Sequence, residues 1–246
     1  MSDAATIYRK FDVGVSRVIS PDDTMLDASG VDAYLEIGRN ALEHCKRALK
    51  GRTPKRILDF PCGYGRVMRW FRHEWPGAEL HGVETDSRCL DFVERSFGAK
   101  SIQADARLNM TVPSDVDLIF SGSLLTHFDE WQWRIYIEMC VDALSKDGVF
   151  LFTTHGRIAS VLAKNRHPVY GDLVDTRELF ERQKATGFSF LPYDIAYPTF
   201  GITLTSPAWI MGLLQAMPNV KVIGFEEGGW GQDIWAVQRA PWPMVT

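Results

Sequence analysis

The chain has 246 residues, 46% hydrophobic and 24% charged, the balance of a globular protein with a substantial core. A formal net charge of -4 gives no general attraction for phosphate backbones, so nucleic acid is not an expected partner. The four cysteines (Cys45, Cys62, Cys89 and Cys140) stand far apart with no His at ligand spacing, which argues against a disulfide framework and against a metal site. No signal-peptide run opens the chain and no segment has bilayer-spanning length, so a cytoplasmic protein without a membrane partner is expected.

Residues 1–30 are polar, with a turn at Pro21-Asp22-Asp23, and read as an arm or lid. From Val31 to Lys50 apolar residues recur on one helical face, and Gly51 and Pro54 end that helix. Strands and helices then alternate: KRILDF (55–60) strand, 65–75 helix, ELHGVE (79–84) strand, 87–97 helix, SIQA (101–104) and VDLIFSG (116–122) strands, and a helix over about 130–145. Asp147-Gly148 should turn the chain into VFLFTTH (149–155), the longest apolar strand. Alternation of this kind implies parallel pairing with right-handed crossovers, an α/β doubly wound sheet covered on both faces.

After His155 the rhythm breaks. Residues 156–205 carry scattered aromatics, prolines and polar groups, and read as a cap inserted into a single domain spanning 31–246. A helix over about 207–217 and two closing strands, 220–227 and 232–239, joined through Gly228-Gly229-Trp230-Gly231, complete the chain.

The segment 56–66, RILDFPCGYGR, is a strand ending in an acid, a glycine turn and the start of a helix. Gly63 and Gly65 let the backbone turn sharply and approach a ligand at the carboxyl ends of the strands, where open α/β sheets bind. A dinucleotide fingerprint would need glycine where Met68 stands. The acid at Asp59 suits a cofactor with an amino group and a ribose but no pyrophosphate. Glu84, closing the second strand, is placed to accept both ribose hydroxyls, and Asp105 to accept from an adenine amino group.

Asp59-Phe60-Pro61-Cys62-Gly63-Tyr64-Gly65-Arg66, Glu84, Asp105 and the segment 117–128 together resemble the class I S-adenosylmethionine (SAM)-dependent methyltransferase family. The resemblance implies a mostly parallel seven-stranded sheet whose last strand is antiparallel, with SAM as cofactor and S-adenosylhomocysteine (SAH) as product. It assigns cofactor binding to Asp59, Cys62, Gly63, Tyr64, Gly65, Glu84, Thr85, Asp105, Ala106 and Ser121. Pro61-Cys62 departs from the small residues usual in that loop; Cys62 reads as a small buried thiol rather than a nucleophile.

His127 after the fourth strand and His155 at the end of the fifth should both face the cofactor, where a hydroxyl acceptor would need a general base. Tyr170, Tyr193 and Tyr197 in the cap, with Trp230 and Asp233 near the last turn, are the candidate acceptor contacts. Aromatic faces with interspersed acids suit a small-molecule or glycan-type acceptor, and TTHG with GWGQD bears a fainter resemblance to small methyltransferases of polysaccharide pathways. O-methylation is expected. An N-methyltransferase or natural-product methyltransferase, a nicotinamide oxidoreductase and an inactive methyltransferase-like protein are the alternatives. No metal is implied.

Overall fold

The computed structural model describes residues 14–105, 107–169, 173–194 and 199–240. Of the candidate site residues, Ala106, Tyr170 and Tyr197 lie outside them, as does most of the first half of the expected N-terminal arm.

Helix α1 (Gly30–Leu49) buries Tyr34, Leu35, Ala41, Leu42, Cys45 and Leu49 along one face, and Lys50 closes it in a left-handed conformation. Then follow β1 (Arg56–Asp59), α2 (Met68–Glu74), β2 (Glu79–Glu84), α3 (Ser87–Phe97), β3 (Lys100–Gln103), β4 (Val116–Ser121), α4 (Glu130–Ala143) and β5 (Leu144–Thr154). The inserted segment holds α5 (Arg157–Lys164), α6 (Thr176–Thr186), β6 (Phe188–Pro192) and β7 (Gly201–Thr205). The chain closes with α7 (Pro207–Gln215), β8 (Val220–Glu226) and β9 (Asp233–Arg239).

Seven strands form one sheet in the order β3-β2-β1-β4-β5-β9-β8. The first five run parallel, and β9 is antiparallel to both β5 and β8, so the expected architecture is met. Alternate strand residues feed opposite cores. Ile57, Leu118, Phe120, Val149 and Leu151 pack with α1, α2 and α3, while Leu58, Ile119, Phe150 and Phe152 pack with α4 and α7.

Three expectations shift. The helix expected from 65 begins at Met68, because the glycine turn consumes Gly65 and its neighbours. The turn expected at Asp147-Gly148 lies within β5, at an irregularity in its pairing with β4; a side chain on Gly148 would overlap the Val116 carbonyl. The inserted segment, where the sequence breaks the strand–helix rhythm and shows no clean repeat, contains two helices and the antiparallel hairpin β6–β7, with its own small core of Ala159, Ala163, Leu179, Ile202 and Leu204. Among the described residues no helix is long and apolar enough to cross a membrane.

Candidate functional site

The glycine loop is built by main-chain hydrogen bonds between neighbouring strands. The Phe60 amide donates to the Phe120 carbonyl at 3.0 Å, that of Cys62 to Val83 at 3.0 Å, and that of Gly65 back to Cys62 at 2.9 Å. Both glycines have left-handed backbone, φ +48° at Gly63 and +74° at Gly65, but they serve different ends. A Cβ on Gly65 would overlap the Phe97 ring, whereas one on Gly63 would point into open space. Gly65→Ala is therefore expected to cost about 2–4 kcal/mol of stability in urea unfolding. Gly63→Ala should cost about 1 kcal/mol and act mainly by blocking ligand approach.

Glu84, at the end of β2, faces this loop. Its Oε2 accepts the Gly63 amide at 3.1 Å, and its Oε1 accepts the amide (2.7 Å) and hydroxyl (3.0 Å) of Thr85. Lone pairs remain on both oxygens, enough for a diol. Asp59 is only 2% exposed, and its Oδ2 has no hydrogen-bond partner among the described residues. Burial, reinforced by the nearby Glu84 charge, holds its carboxyl well above the usual carboxylate range. An orphaned carboxyl oxygen at this depth is costly unless a donor is supplied from outside the chain.

The remaining candidates fall in distinct places. Asp105 is exposed beyond β3, and its Oδ1 accepts the amides of Arg107 (2.9 Å) and Asn109 (2.8 Å), leaving Oδ2 for another donor. Tyr64 packs its ring edge-on against Phe92. Cys62 is buried, with its thiol pushed well above its usual range by burial and the Asp59 charge, so it stays protonated. The Ser121 hydroxyl is fully buried and accepts from Tyr136 at 3.0 Å, so that side chain is committed to the core behind the loop.

The two histidines meet. His127 lies in a single 3-10 turn (Leu125–His127) after β4 and His155 directly follows β5; their ring centroids are 6.4 Å apart. They are 9% and 8% exposed, and both rings are tied to the outer edge of β7. His127 Nδ1 lies 2.9 Å from the Gly201 carbonyl and 2.7 Å from the Tyr193 hydroxyl; its ring stacks on Phe200. His155 Nδ1 lies 3.2 Å from the Thr203 carbonyl, while its own carbonyl accepts the Thr205 amide at 3.0 Å. A carbonyl only accepts, so Nδ1 of His155 carries the proton and Nε2 keeps its lone pair. Burial lowers both rings' basicity, and the adjacent His127 helps bring His155 to about 4. His155 is thus neutral at pH 7.

Trp230 and Asp233 part company. Trp230 donates its indole N–H to the Ile37 carbonyl at 3.0 Å and stands edge-on to Phe120. It walls a cavity of about 440 Å³ lined also by Glu36, Asn40, Arg66, Ser123 and Gln232. Asp233, 1% exposed, does not line that cavity. Its Oδ1 accepts the Gly228 amide at 2.9 Å, and its Oδ2 presses on Gly156, where any Cβ would collide with it. A triangle of side chains holds the strand ends together: the Thr153 hydroxyl accepts the Ser123 amide and donates to Gln232, whose own amide donates to Ser123. No local pattern could reveal that triangle, since its members come from three segments. Among the described residues no group of three or more His, Cys, Asp or Glu side chains could hold a metal ion.

An acid-tipped glycine loop and a second acid at the carboxyl edge of a doubly wound sheet are the arrangement with which such sheets bind nucleoside-bearing ligands. Comparison with known proteins narrows the class. Residues 57–148 match the family model described as a methyltransferase domain. Trans-aconitate 2-methyltransferase of Pseudomonas paraeruginosa is 31% identical over 78 residues, which are 32% of this chain; the match spans only 28% of that relative's length. Among solved structures, PH0226 protein from Pyrococcus horikoshii OT3 superposes with a TM-score of 0.57 at 16% identity, covering 88% of this chain and 95% of that one. Burkholderia thailandensis 1,6-didemethyltoxoflavin-N1-methyltransferase, solved with bound 1,6-didemethyltoxoflavin and SAH, superposes with a TM-score of 0.57 at 14% identity, covering 83% and 78%. Residues 57–148 are thus similar to a methyltransferase domain, and the sheet around them has the fold of the solved methyltransferases it superposes on.

Proposed function

We propose that this protein transfers the methyl group of SAM to a hydroxyl of a small acceptor, with His155 as general base. The observation that carries the cofactor is the unpartnered, buried Oδ2 of Asp59 beside a Glu84 carboxylate with spare lone pairs. The amino group of the cofactor's methionine part answers the first, and the ribose diol answers the second. Gly63 leaves room for the cofactor to lie against the loop. When bound, SAM supplies a methyl on a sulfonium and leaves as a neutral thioether.

A hydroxyl scarcely ionises at pH 7, so its proton must be taken as the carbon–oxygen bond forms. His155 holds its Nδ1 proton on the Thr203 carbonyl, which fixes the ring and aims the basic Nε2 away from β7. A proton on Nε2 would leave the site's total charge unchanged, since the bound cofactor would bring in the positive charge that the transfer removes. This compensates for the low basicity that burial imposes. His127, engaged by Tyr193, positions the ring beside it. An amine acceptor would need no such base, and activity surviving loss of both histidines would favour N-methylation.

Titration of the full chain with SAH, with NAD as control, tests the cofactor. SAH is expected to bind with a Kd on the order of micromolar, and Glu84→Ala to weaken it about 100-fold, the worth of roughly two charge-assisted hydrogen bonds. Binding of NAD in place of SAH would sink the proposal.

A further inference from the structure

Arg66 is the first residue after the glycine loop, near enough to Asp59 for the two charges to act on each other. It lines the 440 Å³ cavity, with its guanidinium carbon over the Tyr34 ring at 5.7 Å and over the Trp230 ring at 6.0 Å from the centroids. Among the described residues it makes no hydrogen bond and no ion pair. The acid that shares the cavity, Glu36, is already neutralised by Arg39, whose Nε lies 2.8 Å away. The charges of Asp23, Asp27 and Asp59 act on it from a distance, but its N–H groups are not spent on any of them; a guanidinium in a recess beside two aromatic rings, with its planar fork unspent, can take a planar anion.

Position separates this cavity from the cofactor acids. Asp59, Glu84 and Asp105 stand at the ends of β1, β2 and β3. The cavity is walled by α1, by Ser123 after β4 and by residues 229–232 before β9, on the β4-β5-β9 half of the sheet. That half also carries the histidines. Ser123 lies four residues before His127, and Gln232 is bonded to Thr153, two residues before His155. Ile37 and Trp230 offer apolar wall, while Asn40, Ser123 and Gln232 offer donors and acceptors.

We propose that Arg66 is a specificity residue that binds a carboxylate of the acceptor, so that the methylated molecule is a hydroxylated carboxylic acid. This rests on the methyltransferase reading above. The planar fork of Arg66 takes the carboxylate oxygens in paired hydrogen bonds, and Trp230 covers the body of the molecule.

The test uses the full chain and two matched pairs, glucuronate with glucuronamide and 4-hydroxyphenylacetate with 4-hydroxyphenylacetamide, titrated into SAH-loaded protein. In at least one pair the wild type should bind the acid tenfold or more above its amide. Arg66→Gln should keep its SAH affinity within about threefold and lose the preference, and Arg66→Lys should keep part of it. A preference retained in Arg66→Gln, or no preference in either pair with wild type, overturns the proposal. So does an Arg66→Gln protein that loses SAH binding, since the carboxylate held would then be the cofactor's own. A wild type that binds no SAH defeats the methyltransferase reading itself; intact SAH binding without acid preference defeats this proposal alone.

Discussion

His155→Ala is expected to lower kcat about 10²- to 10⁴-fold while leaving SAH affinity unchanged. Among the described residues the ring is tied from Nδ1 to the Thr203 carbonyl and makes no hydrogen bond to Asp59 or Glu84, so its Nε2 is the atom with a lone pair to give. The pH profile of the wild type separates this role from a structural one. Burial and the neighbouring His127 bring His155 to about 4, well below the ordinary histidine value near 6.5. The basic form therefore persists on acidification, and the kcat profile should stay level through pH 6.5 and fall only towards pH 4 to 5. Stability runs in the same direction. The unfolded chain takes up a proton near pH 6.5 that the folded chain refuses until about 4, so this contribution is present above 6.5 and is lost as pH falls through that window. Circular dichroism at each pH keeps the two effects apart. A rate limb at pH 6.5, or a greater loss in His127→Ala than in His155→Ala, would move the base off His155.

How the histidines come together explains what the sequence could and could not disclose. Their placement at the carboxyl ends of the fourth and fifth strands follows from local pattern: apolar runs set the strands, and the residue just past each run lies on the ligand edge. The glycine loop, Asp59 and Glu84 were legible for the same reason. What fixes the histidine rings was not, because the Gly201 and Thr203 carbonyls lie 74 and 48 residues downstream. The strand that carries them, GITLT, does show alternation, with Ile202 and Leu204 buried in the inserted segment's core. Its partner FSFLP is joined to it by residues 193–200 rather than a two-residue turn, so no short hairpin signal marks the pair. Asp233 looked like an acceptor contact because it follows a glycine turn. Only the tertiary fold brings it against Gly156, whose missing side chain makes the space it fills. Arg66 lay in plain view within the loop motif, but its orientation towards Trp230 depends on α1 and the last turn arriving from opposite ends of the chain.

Asp59→Asn is expected to stabilise the ligand-free protein by about 1–3 kcal/mol at pH 7 to 8 and to weaken SAH binding about 100-fold. The carboxyl is buried with one oxygen unpartnered and the Glu84 charge nearby, so its ionised form is the costly one. Its folded value lies above the unfolded one near 3.9; between the two the folded state keeps a proton that the unfolded chain has released. Wild-type stability from this group is therefore greatest at low pH and declines as pH rises through the window, a decline the amide should remove. An ammonium placed against Asp59 reverses the preference, because the ion pair needs the carboxylate. Cofactor binding should then expel a proton, and its calorimetric heat should vary with the ionisation enthalpy of the buffer. In Asp59→Asn that variation should vanish along with most of the affinity. Loss of stability in the amide variant would mean that Asp59 is paired within the chain. Buffer-independent heats in the wild type would mean that the ligand's amino group lies elsewhere.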